Sequence, residues 1–141
     1  MNTVAKVRCG LYAVIAFIAL VATWSQNVSY HGSEVFRRFL PDTAVTAASR
    51  SIAADISMLF VALAILMVLE ARRHHIRFVW AYIVGGCLIA ISVTFPLFLI
   101  ARERQLAAQG SDTPALGALD KALLSVLTLA LMAATVWVDT R

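Results

Sequence analysis

Asp55 is the residue whose type and position come closest to chemistry in this 141-residue chain. It lies about four residues inside the apolar stretch "SIAADISMLFVALAILMVL" (Ser51–Leu69), so at helical rise it sits ~6 Å below the stretch's start. A carboxylate within an apolar stretch can take up a proton, hold a cation, or pair with a buried base. Its ordinary alternative is a helix-start carboxylate facing the positive end of its own helix. Candidate partners are Arg102, in the closing triplet Arg102-Glu103-Arg104, and Lys121 beside Asp120. Pairing with Arg102 or Lys121 would spare both partners an unpaired charge near lipid.

Other chemistry is sparse. His31, His74 and His75 fall in loops, whereas a bundle haem needs imidazoles projecting inward from helices. His74-His75 lacks carboxylates or thiolates at ligand spacing, so no metal site is expected. Cys9 and Cys87 form no paired motif and read as small packing residues. No nucleophile elbow, phosphate loop or HExxH motif occurs. The residues therefore point away from an enzyme and call for no cofactor.

The elements that must position Asp55 and the triplet are four apolar stretches, Val7–Trp24, Ser51–Leu69, Phe78–Ala101 and Ala122–Val138. The chain is 61% hydrophobic and only 14% charged, against the roughly 25% charge of a soluble domain. The apolar residues form long runs with charged punctuation, as in a chain whose solvent is lipid. A run of about 18–20 residues spans a ~30 Å hydrocarbon core as a helix. Only a helix satisfies every backbone N–H and C=O there within one segment. We expect an all-α, integral membrane four-helix bundle, residues 1–141 forming one domain, with helices near 7–25, 51–70, 78–101 and 119–138. A cleaved signal peptide, cut after Ser25, is the alternative for the first stretch.

Lys and Arg set orientation. If all four stretches cross, Lys6, Arg8, Arg72, Arg73, Arg77 and Arg141 face Arg37, Arg38, Arg50, Arg102, Arg104 and Lys121, six against six. The dense "ARRHHIR" turn tips the tie toward both termini being cytoplasmic. Tyr12, Trp24, Trp80, Tyr82 and Trp137 lie near stretch ends, the place of interfacial anchors. The net charge of +4 flanks apolar segments and suits anionic headgroups, not nucleic acid.

Pro96 interrupts the third stretch. It donates no N–H, so the carbonyl of Ser92 loses its helical partner and a bend is expected. Gly85, Gly86 and Ala90 offer a small face for close helix approach.

Residues Asp55 to Leu106 resemble an uncharacterised family of small bacterial integral membrane proteins, a domain of unknown function. The resemblance rests on Asp55 opening a helix, "EARR" (Glu70–Arg73, with Arg72 and Arg73 as its basic pair), Ser92 four residues before "PLFL" (Pro96–Leu99), and "RER" (Arg102–Arg104). Ala71 departs from the family's usual Glu-Gly-Arg-Arg turn. The resemblance covers the first three stretches and implies a membrane location in bacteria, but no activity. Two readings of function follow. The first is a non-enzymatic accessory or stabilising subunit of a larger bacterial inner-membrane complex, or a homo-oligomer. The second is a small carrier or binding protein for a proton, lipid or quinone that uses Asp55.

Overall fold

The structure is a computed structural model that describes residues 1–28, 30, 34–111 and 116–140. His31 and Arg141, singled out above, lie outside the described residues. The elements are α1 (Thr3–Asn27), α2 (Glu34–Asp42), α3 (Ala47–His74), α4 (Val79–Gly85) with a π turn (Gly86–Ala90), α5 (Ile91–Ala108) and α6 (Ala118–Asp139). The fold is all-α, and four helical stretches are long and apolar enough to cross a membrane: Thr3–Asn27, Ala47–His74, Val79–Ala108 and Ala118–Val138.

Helix ends follow local chemistry. The Asn2 side chain accepts from the Ala5 N–H at 2.8 Å and caps α1. Thr46 and Ser49 form a reciprocal capping box at the start of α3. Arg72, Arg73 and His74 lie in its last turn, where cations oppose the negative end of the helix. Gly110, at φ +70°, ends α5 in a left-handed conformation that glycine adopts without steric penalty. The short α2 carries a Glu34–Arg38 pair at 3.8 Å. Tyr30 Oη donates to Asp42 Oδ2 at 2.8 Å, and this hydrogen bond pushes the phenol pKa up from its ordinary value.

The third apolar stretch does not run straight. Ala90 is extended, with φ 176° and ψ 142°, and the chain reverses there. The reversal is visible in contacts placed symmetrically about Ala90. The rings of Tyr82 and Phe98 meet edge to face, centroids 5.8 Å apart, whereas sixteen residues of straight helix would separate them by about 24 Å. A Cβ placed on Gly86 would lie 3.1 Å from Thr94 Oγ1 and 2.8 Å from the Phe60 ring, so the missing side chain is what lets the two arms and α3 meet. Gly85 faces Thr94 in the same way, at 3.2 Å. The small face expected on this stretch therefore serves its own fold-back.

Pro96 is not the bend. It sits buried in the second turn of α5, and the break falls six residues earlier. The ring of Tyr82 packs edge to face on Phe98 inside the hairpin. Phe98 and Met67 are the largest fully buried side chains, in a cluster with Ala71, Val79 and Ile83. Lipid is as apolar as these residues, so their contribution is close packing rather than escape from water.

The hairpin sets which groups share an end of the bundle. α1 runs antiparallel to α5, with Arg8 beside Glu103 and later turns of α1 against the π turn. α3 runs parallel to α5, with Phe60 at Gly86 and Glu70 at Arg102. The start of α6 adjoins the start of α1, where Leu116 and Lys121 meet Thr3 and Val7. One end thus holds the starts of α1 and α6 and the close of α3 and α5. The other end holds the close of α1, α2 and the start of α3.

Candidate functional site

The converging polar side chains lie near the first end. Glu70 comes from the last turns of α3, Arg102 and Glu103 from α5, and Arg8 from the second turn of α1. Arg102 Nε donates to Glu70 Oε2. Arg102 Nη1 also lies 3.8 Å from Glu103 Oε1, and Arg8 Nε lies 3.8 Å from Glu103 Oε2. His74 Nε2 stands 3.5 Å from Glu70 Oε2, one helical turn away. The result is a chain of charges, Arg8–Glu103–Arg102–Glu70–His74, that ties three helices together.

Its composition explains how it tolerates burial. Two guanidiniums face two carboxylates, so the chain is neutral when His74 is neutral. The Glu103 side chain is 4% exposed, Glu70 16% and Arg8 18%. Glu70 lies four residues before the end of α3, about 6 Å in from that end at helical rise. At such depth an unpaired charge is costly, and alternation of sign removes the cost for every member. Gln109 Nε2 adds a bond to the carbonyl of His74 at 3.1 Å, locking the end of α5 to the end of α3.

Several sequence expectations change here. Asp55 pairs with neither Arg102 nor Lys121: it is exposed on α3, at the opposite end of the bundle from both. The reason is the reversal at Ala90, which carries Arg102 back to the Glu70 end. The pair that forms instead joins the two motifs of the resemblance, "EARR" and "RER". Arg72, Arg73, Arg104, Lys121 and Ser92 are exposed, while Pro96 is buried. Sequence reasoning missed Arg8 as a member and placed His74 in a loop, whereas it is the last residue of α3. One available sign was that Glu103, flanked by two arginines, needed more than its neighbours once buried.

Chemically, the chain of charges is a clasp. Each carboxylate is occupied by a guanidinium, and among the described residues no three His, Cys, Asp or Glu side chains gather to hold a metal. Cys9 and Cys87 are free thiols, one near the clasp and one near the hairpin tip.

A larger cavity than the one at Arg8 lies elsewhere in the bundle. It measures about 660 Å³ and lies between α1, α3 and the hairpin tip, under Phe39 of α2.

No curated protein and no solved structure matches the chain. The model of a family described as "Protein of unknown function DUF2834" matches residues 11–104 of the 141, and the chain belongs to that family.

Proposed function

We propose that the protein is a non-enzymatic accessory subunit that packs against a larger membrane protein through α6. The observation that carries this reading is the exposure of α6. From Ala118 to Val138 only Met132 and Thr135 are partly covered. The helix carries Ser125, Thr128, Met132 and Thr135 at alternating spacings of three and four, so they line one face. The hydroxyls of Ser125, Thr128 and Thr135 bond to carbonyls four residues back, at 2.7, 2.7 and 3.0 Å. A face of short, self-satisfied side chains permits the close helix approach on which association in lipid depends. The polar groups that do converge are committed to the internal clasp, which supports a structural service over a catalytic one. A carrier built on Asp55 gains nothing from the geometry, since that carboxylate is exposed and does not line the large cavity.

Sidedness completes the reading. The hairpin gathers Lys6, Arg8, Arg72, Arg73, Arg77, Arg102, Arg104 and Lys121 at the first end and leaves Arg37, Arg38 and Arg50 at the other. The tie of the straight-helix count becomes eight against three among the described residues. By the positive-inside rule the first end is cytoplasmic. α6 starts there, so if it crosses, the C-terminus lies outside and not beside the N-terminus. The setting is a bacterial cytoplasmic membrane, as the family resemblance implies.

Purification of a tagged protein from its native membrane in mild detergent tests the subunit reading. A larger membrane protein is expected at fixed stoichiometry and is lost from Ser125→Leu/Thr128→Leu. Recovery of the chain alone, or of a partner indifferent to that double change, sinks it.

A further inference from the structure

The third stretch reaches only part of the way across before it turns back. Its first arm, Val79 to Ala90, has 12 residues against 25 in α1. At helical rise that is about 18 Å against about 37 Å, so the tip lies near mid-membrane. Between α1 and α3, from the tip to α2, no helix of the hairpin fills the space, and the 660 Å³ cavity is what remains. Its deep end is lined by Ile15 at the middle of α1, Leu63 and Pro96, the tip at Ala90 and Ile91 forms one side, and its roof is Phe39.

We propose that this cavity holds one acyl chain of a phospholipid from the leaflet on the α2 side. Length is the first reason. The space runs from mid-membrane to the interface, half of a ~30 Å hydrocarbon core, which is the reach of one chain in one leaflet. Chemistry is the second. Most of the lining is aliphatic or aromatic, and Thr23, one of its few polar members, spends its hydroxyl on the Ala19 carbonyl at 2.7 Å. An acyl chain asks for no hydrogen bonds and gives none. Position is the third. Asn27, the last residue of α1, lies at the interfacial end of the cavity, where its amide meets glycerol esters rather than hydrocarbon. The volume falls within the ~300–1,000 Å³ of small-molecule sites. This site is independent of α6 and of the subunit reading.

The test is photolabelling in vesicles of phosphatidylethanolamine and phosphatidylglycerol doped with a phosphatidylcholine bearing a diazirine near one acyl terminus. Labelled peptides are mapped by mass spectrometry. We expect labelling at residues 56–63 and 86–96 at least fivefold above that on α6, and a fall to the α6 level in Leu63→Trp, which fills the cavity. Ile89→Trp, from an exposed position at the tip, is expected to do the same and guards against misfolding of the first variant. Even labelling of all lipid-facing helices overturns the proposal, as does labelling unchanged by both variants. Exclusion of the probe by a second polypeptide cross-linked at Cys87 also overturns it.

Discussion

Replacing Glu103 by Ala is expected to destabilise the fold by ~3–5 kcal/mol, the range for removing one partner of a buried charge pair. Glu103 stands between two guanidiniums, those of Arg8 and Arg102, and its side chain is 4% exposed. Its loss leaves two cations near each other below the helix ends, with only Glu70 left to balance them. Arg102→Ala is expected to act in the same direction, because Glu70 loses its guanidinium and Glu103 keeps only Arg8. Replacing the pair together, Glu70→Leu with Arg102→Met, should recover much of the loss, because two matched charges give way to two apolar side chains. Arg104→Ala is the control, since Arg104 is exposed and such changes usually fall within about 0.5 kcal/mol. Thermal unfolding in detergent, followed by circular dichroism, reads all four. Equal stability of the Glu103 and Arg104 variants would remove the clasp from this account.

A reporter fused after Gly110 is expected on the cytoplasmic side, and one fused after Thr140 on the far side. The first follows from the hairpin, which returns α5 to the end where α1 begins. The second follows from one further crossing by α6, which is long and apolar enough for it. Alkaline phosphatase, active only outside the cytoplasm, should therefore be inactive at the first site and active at the second, with green fluorescent protein giving the inverse. A straight third helix inverts both results. The effect is all or none, which makes it the larger of the two tests in signal.

The sequence made the four apolar stretches plain, because charge density and run length are local properties that lipid makes decisive. It also picked out both halves of the clasp, Glu70 within "EARR" and Arg102-Glu103 within "RER", though not their contact. What was not legible is the reversal at Ala90. Phe78–Ala101 has the length and apolarity of one complete crossing, and nothing in its composition separates a spanning helix from two shorter arms. Gly85 and Gly86 carried the sign, but a glycine pair serves equally for helix-to-helix approach. Pro96 drew the expected bend to itself, although a proline near the start of a helix costs a single hydrogen bond. A third helix that crosses puts Asp55 and Arg102 at one end of the bundle, whereas the reversal puts them at opposite ends. The even division of Lys and Arg was a consequence of the same assumption.

The clasp, the sidedness and the cavity all require the third stretch to fold back, and one distance decides it. Spin labels at Arg72→Cys and Ala108→Cys, both exposed positions, with Cys9 and Cys87 replaced by Ser, report it by double electron–electron resonance in lipid nanodiscs. The hydrogen bond from Gln109 to the His74 carbonyl places the two sites at the same end of the bundle. The expected separation is under about 20 Å, whereas a straight thirty-residue helix would carry Ala108 about 45 Å along its axis. A single population beyond about 35 Å would contradict the hairpin, and with it the clasp, the sidedness and the cavity.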